Sequence, residues 1–168
     1  MTAASPLANS WTGHMVARYH ANPRFAHLGQ TTAAHSHGVA SIIALLHPQA
    51  SAALLKAALF HDLGERITGD IPHPAKAAHP AFARALSDLE RRAMIDLIGS
   101  DPLACLDAVD HQWLKLADRL EAILFCAWHD PASLARPDWA GSVAALIAQA
   151  ADLGVADPVQ AAIAAIAA

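Results

Sequence analysis

The feature that most constrains this fold is the absence of β-strand signals from the pattern of apolar residues. No segment alternates apolar and polar residues for long enough to form a half-buried strand, and no Asn-Gly or Asp-Gly hairpin turn is present. Three Asp-Pro pairs, beginning at Asp101, Asp130 and Asp157, are typical of an N-cap residue followed by proline at the first helical position. The chain is therefore predicted to be all-α.

Apolar spacing and these pairs together predict where the helices lie. The expected helices are 10–20, 31–46, 51–61, 80–98, 102–109, 111–129, 138–152 and 158–167. The stretch 69–79 carries two prolines and is predicted to be a loop over the functional site. No repeat or linker interrupts the pattern, so residues 1–168 are predicted to form one domain, a helical bundle.

Composition narrows the classes of partner. The chain is 55% hydrophobic and only 15% charged, with a net charge of −4, which argues against binding to nucleic-acid polymers or to membrane surfaces. A chain with this apolar composition is expected to bury part of its surface in a homo-oligomer, a dimer or larger. A coding bias towards alanine explains the composition equally well. Cys105 and Cys126 form no spaced motif, which favours a cytoplasmic protein with free thiols.

Ionisable residues occupy apolar helix faces at two places. His35 shares a face with four apolar residues of the predicted helix 31–46, and Asp118 shares one with three apolar residues of 111–129. Burying a carboxylate costs several kcal/mol unless it is paired or coordinates a metal. A lone core histidine is more often structural than functional, so neither residue identifies a site alone.

The pair His61-Asp62 completes a candidate metal site. It follows the apolar helix 51–61, and Gly64 indicates a helix end there. Two imidazoles and two carboxylates, from His35, His61, Asp62 and Asp118, suit Mn, Co, Zn, Mg, Fe or Ni, and ligand type alone does not choose among them.

Three segments resemble the successive motifs of the HD-domain metal-dependent phosphohydrolases. They are "RYHANPRF…QTTAAHSHGVA", "LFHDLGERITGDIPHPAK" and "LKLADRLEAIL". They are similar to the small bacterial 5′-deoxynucleotidases and equally to the phage dATP triphosphohydrolases. The motif-bearing core lies at about 14–129, followed by C-terminal helices within 130–168.

The resemblance implies an HD-type helical fold and a role for each motif residue. His35, His61, Asp62 and Asp118 correspond to ligands of a divalent metal. Glu65 and Asp70 correspond to catalytic acidic groups beside the attacked phosphate. The substrate-binding residues implied are Arg18, Tyr19 and Lys76.

Two departures from the family pattern stand out. Ala34 replaces the glutamate that often precedes the first ligand, and Tyr19 replaces a tryptophan. Two enzymatic readings stay open, release of phosphate from deoxynucleoside 5′-monophosphates or of triphosphate from nucleotides such as dATP. The alternative from another class is a catalytically silent, metal-stabilised module that binds a nucleotide or a partner.

Overall fold

The protein is helical throughout the part that the computed structural model describes, residues 5–168. Its only β-type pairing within those residues is an isolated bridge between Ala17 and Thr31. The α-helices are α1 (Pro6–Gly13), α2 (Thr32–Leu46), α3 (Ala52–Phe60), α4 (Glu65–Thr68), α5 (His73–Ala78), α6 (Pro80–Ile98), α7 (Ala108–His129), α8 (Pro137–Asp152) and α9 (Ala156–Ala167). The all-α prediction is confirmed.

Capping side chains explain where two of these helices begin. The hydroxyl of Ser5 accepts a hydrogen bond from the Ala8 amide at the start of α1. The Asp107 carboxylate accepts from the amides of Val109 and Asp110, both at 2.8 Å, and starts α7. These bonds satisfy amides that the first helical turn leaves without a partner.

Three predicted elements were wrong. The helix expected at 10–20 is α1, which ends at Gly13, because the Ser5 cap and Pro6 start it earlier. The loop expected at 69–79 contains α5, since proline near the first position favours a helix start. In place of the helix expected at 102–109 there is a short 3-10 helix, Pro102–Cys105, and α7 then starts anew after Asp107.

The Asp-Pro pairs mark helix starts less uniformly than predicted. Asp101 and Asp130 each precede a 3-10 helix, Pro102–Cys105 and Pro131–Ala135. The third pair lies inside the first turn of α9, which begins one residue earlier at Ala156.

The chain forms two compact units, each assembled from two separate segments. The first contains residues 1–36 and 59–105, of which the first four lie outside the described part. In this unit α1, α4 and α5 each pack against α6. Its core includes Leu63, Met94 and Leu97, with Phe60, Ile98 and Leu103 at the edge. This core supports the turn that carries His61 and Asp62.

The second unit contains residues 37–58 and 106–168. In it α7, α8 and α9 pack against one another, with Leu116, Ile123, Leu146 and Val159 fully or almost fully buried. The ring of His47 stacks on Trp113 with centroids 4.7 Å apart. Neither unit coincides with the predicted division at residue 130, and the prediction of a single domain over residues 1–168 stays a prediction.

No helix in the described part of the chain is both long and apolar enough to cross a membrane. Cys105 is exposed and Cys126 is buried, and both are free thiols, as predicted.

Candidate functional site

The His61-Asp62 pair lies on a tight turn between two helices. Helix α3 ends at Phe60, and the Leu63 amide donates to the Phe60 carbonyl at 2.9 Å. The Glu65 amide then donates to the Asp62 carbonyl at 3.0 Å, and α4 begins at Glu65. The helix end expected near Gly64 is therefore present, and it lets adjacent side chains reach a common point.

Glycine at position 64 is required by close packing. A Cβ atom there would overlap the backbone of Glu90 on α6. The turn can therefore lie directly against α6, which fixes the backbone around His61, Asp62 and Glu65 relative to Glu90.

Two imidazoles face the same carboxylate. The Nε2 atom of His35 lies 3.4 Å from Oδ2 of Asp62, and Nε2 of His61 lies 3.4 Å from Oδ1 of that residue. The two rings have centroids 5.3 Å apart, and the His35 side chain is fully buried. His35, His61 and Asp62 all belong to the first unit, where their side chains form a compact set of candidate metal ligands.

This donor set fits a divalent metal. Nitrogen from neutral imidazoles and oxygen from carboxylates are ligands for first-row transition metals and zinc. Asp62 contacts both histidines, and Asp118 is half-buried on α7 in the second unit. The assignment of these four residues as metal ligands stays a prediction.

Arg18 is held beside these residues by Asp62. Its Nη1 donates to Asp62 Oδ2 at 2.9 Å, and its side chain is only 10% exposed. The backbone is fixed as well, because the Arg18 amide donates to the Gln30 carbonyl. The guanidinium carries five N–H donors in a planar fork, a geometry that suits both carboxylate and phosphate oxygens.

Tyr19 and Asp70 are joined through the backbone. Tyr19 has φ of 57°, and its amide donates to Asp70 Oδ2 at 2.7 Å. A left-handed conformation is strained for a tyrosine, so this bond helps to retain it. The Tyr19 ring packs edge-on against Phe25, with ring centroids 5.6 Å apart. The central guanidinium carbon of Arg18 also lies 5.6 Å from the Tyr19 ring centroid.

Glu65 is a buried acid in a cluster of charges. It is 4% exposed, and burial is the main reason why its pKa rises from 4.5 to about 9. The negative charges of Asp62 and Asp70 raise this pKa further, whereas the positive charges of Arg18 and Lys76 lower it. In the metal-free protein Glu65 therefore carries its proton at neutral pH. Lys76 is half-buried on α5, inside the segment predicted to be a loop.

The sequence analysis missed Glu90 and Thr68. The Thr68 hydroxyl donates to Glu90 Oε1 at 3.0 Å. Burial raises the pKa of Glu90, as do Asp62 and Asp70, and Lys76 opposes this. Glu90 precedes two arginines on an amphipathic helix, so by pattern it resembles an ordinary solvated charge. No sequence signal separates it from Asp88 or Asp96.

Ala34 is exposed on α2, whereas His35 and Ser36 are buried. A glutamate at position 34 would therefore have its backbone on an exposed part of α2.

Comparison with known proteins gives one result. A family model described as 5′-deoxynucleotidase YfbR-like matches residues 14–130, a span that contains every predicted site residue. No curated protein and no solved structure gives a significant match.

Proposed function

The chain belongs to the YfbR-like 5′-deoxynucleotidase family, an HD-domain phosphohydrolase family, and on that premise we propose that it hydrolyses 2′-deoxynucleoside 5′-monophosphates. The predicted HD-domain family is thereby confirmed, and the chain is a hydrolase of HD type. The observation that carries the substrate proposal is the arrangement of Arg18, Asp62, His35 and His61, which sets a phosphate-binding cation beside a metal-ligand set. The reaction yields a deoxynucleoside and orthophosphate.

The residues that would hold the divalent ion are His35, His61, Asp62 and Asp118. Support comes from the contacts of Asp62 with both imidazoles and from the closeness of the two imidazole rings. A bound divalent ion would supply Lewis-acid polarisation of the phosphoryl group and a lower pKa for its water. The identity of the ion stays open among the metals that the donor set accepts.

In this proposal Arg18 orients the phosphate. Its guanidinium is held in place by Asp62, so its positive charge is preorganised beside the phosphoryl oxygens on which negative charge develops. Lys76 adds a second positive charge, whose influence on both Glu65 and Glu90 places it in the same cluster. Tyr19 would pack against the sugar or base.

Glu65 and Asp70 are the proposed acidic groups of the reaction. Water forms a bond to phosphorus, the bond from phosphorus to the 5′-oxygen breaks, and that oxygen must gain a proton. Glu65 is buried beside Asp62, and its Oε2 makes no hydrogen bond to the described residues, so it can exchange a proton with water or the leaving oxygen. Asp70 accepts the hydrogen bond from the Tyr19 amide and so holds the backbone next to Arg18.

Charge favours a monophosphate over a triphosphate. The charged groups that interact with Glu65 and Glu90 include the carboxylates of Asp62 and Asp70 and the cations Arg18 and Lys76. With Glu90 counted and Glu65 protonated, three carboxylates outnumber these two cations, so the protein groups themselves supply no positive excess to neutralise a long phosphate chain. Triphosphate release from dATP has no such support.

The test is product analysis with purified protein and added Mn²⁺, Co²⁺ or Mg²⁺. All four deoxynucleoside monophosphates and triphosphates are offered, and orthophosphate is separated from triphosphate. We expect orthophosphate from monophosphates, and triphosphate as the main product would overturn the proposal. Arg18→Ala should reduce kcat/KM by about 100-fold, on the scale of losing one preorganised charged donor. The exposed Arg24→Ala is the matched control and should change it little.

A further inference from the structure

We propose that Glu90 determines specificity by limiting the length of phosphate chain that the site accepts. This inference rests on the proposed function, because it concerns the phosphate-binding part of the same site. Glu90 belongs to none of the motifs that indicated the family, and it lies on α6, outside the segments that carry the predicted ligands.

The position of Glu90 is fixed by two contacts. Its backbone lies directly against Gly64, where no Cβ could be accommodated, so α6 packs closely on the turn at residues 61–65. Its carboxylate accepts the Thr68 hydroxyl bond at 3.0 Å, and that hydroxyl lies 3.1 Å from the carbonyl of Gly69. The carboxylate is therefore held on the turn that leads into Asp70.

The charge of Glu90 acts on the site in two ways. Its carboxylate is bonded to Thr68, two residues before Asp70, and the negative charges of Asp62 and Asp70 raise its pKa, so its charge adds to the negative potential of these acids. Lys76 lies within the same electrostatic reach, because its positive charge lowers the pKa of Glu90. A lysine already balanced by carboxylates offers less attraction to additional phosphate groups.

The consequence grows with the charge of the ligand. The interaction energy of a fixed negative charge with a bound anion scales with the anion's charge, and it is large where water is partly excluded. A monophosphate is therefore repelled least, and each further phosphate increases the cost. The resulting selectivity opposes hydrolysis of deoxynucleoside triphosphates at the same centre.

The test compares Glu90→Gln with Asp88→Asn. The glutamine has the same shape, and its amide oxygen still accepts the Thr68 bond, so the variant removes only the charge. Asp88 is exposed on the same helix and provides the same change of net charge away from the cluster. Thr68→Val is the complementary variant, because it removes the hydrogen bond and keeps the charge.

Binding of dAMP and dATP is measured by calorimetry at pH 8 with Mg²⁺ in excess, with every variant also carrying Glu65→Gln so that dAMP is not hydrolysed during the titration. In parallel, kcat/KM is measured without that second substitution. Glu90→Gln should strengthen dATP binding by about 5- to 10-fold and dAMP binding by only about 2-fold, with the difference shrinking in high salt. Asp88→Asn and Thr68→Val should keep the wild-type ratio of the two affinities. The proposal is overturned if Glu90→Gln leaves that ratio at the Asp88→Asn value.

A failure of the proposed function would be seen in turnover, whereas a failure of the Glu90 proposal would be seen in the binding constants. Absence of turnover of any monophosphate by the wild-type protein would reject the nucleotidase activity. The ratio of the two binding constants would still decide the role of Glu90, because calorimetry does not require turnover.

Discussion

At the scale of single residues, the buried carboxyl of Glu65 makes stability depend on pH. Its pKa in the folded, metal-free protein is about 9 against 4.5 for the ordinary group, so the folded state binds this proton more tightly. The resulting contribution to stability is complete below pH 4.5 and is lost as pH rises towards 9. Glu65→Gln should therefore raise the Tm of the metal-free protein at pH 8 by roughly 3 °C or more while abolishing turnover.

The same comparison at pH 5 distinguishes this explanation from a general gain in stability. The difference in Tm between Glu65→Gln and wild type should be much smaller there. At pH 5 the Glu65 carboxyl group is protonated in the folded state and partly protonated in the unfolded state, so folding changes its protonation less. Asp96→Asn, on the exposed side of α6, should show no such pH-dependent difference. Loss of Tm at pH 8 in the glutamine variant would contradict the assignment. Retained turnover would instead show that the Glu65 carboxyl is not part of the catalytic machinery.

A second residue-scale prediction concerns the strained backbone at Tyr19. The Asp70 carboxylate accepts the Tyr19 amide at 2.7 Å, and Tyr19 has a left-handed φ of 57°. Asp70→Ala should therefore speed hydrogen exchange at the Tyr19 amide by about 10-fold or more, since an unmade bond of about 1–2 kcal/mol allows local opening. Asp70→Asn keeps an acceptor and should retain much of the protection. Both variants should lose activity, because neither keeps the charge.

At the scale of elements, the contact between the 61–65 turn and α6 depends on one missing side chain. Gly64→Ala would place a methyl group into the Glu90 backbone, and backbone cannot move aside as a flexible side chain can. We expect unfolding free energy to fall by roughly 2 kcal/mol or more, with loss of activity, as measured by denaturant titration and phosphate release.

Gly141→Ala provides the matched control within α8. No atom lies within 4 Å of a Cβ built there, and the residue is inside a regular helix. Alanine should raise unfolding free energy by about 0.5–1 kcal/mol, because glycine in a helix interior is the more flexible in the unfolded chain. An equal loss of stability in both variants would contradict the packing argument at Gly64.

The elements also show what sequence periodicity can and cannot establish. Long apolar helices such as α2 and α7 were predicted to within a few residues, because many residues contribute to each pattern. The short helices α4 and α5 were not predicted, since four to six residues provide little periodic signal and their packing on α6 is a tertiary effect. Local capping at Ser5, which the apolar pattern does not record, determined where α1 begins.

At the scale of the whole molecule, the predicted metal ligands stand out from apolar surroundings in the sequence, whereas Glu90 does not. His35 and Asp118 stand out because each interrupts an apolar helix face, and His61-Asp62 because it ends one. Glu90 lies among other charged residues, so its burial and its link to Thr68 arise only when α4 packs on α6. Sequence pattern detects a polar residue where apolar ones are expected, but not a buried charge on a charged face.

Metal binding should stabilise the whole protein, because ligands that are preorganised in the folded state are scattered in the unfolded chain. With free Mn²⁺ or Co²⁺ at about 100 times its dissociation constant, binding adds roughly 3 kcal/mol, or a rise in Tm of about 5–10 °C over EDTA-treated protein. The rise should diminish at pH 5.5, where protonated histidines do not bind metals. His35→Asn should remove it, whereas His37→Ala, two residues away and exposed, should retain it. An equal rise in both variants would show that the ion binds elsewhere, and about one ion per chain by elemental analysis should accompany the wild-type rise.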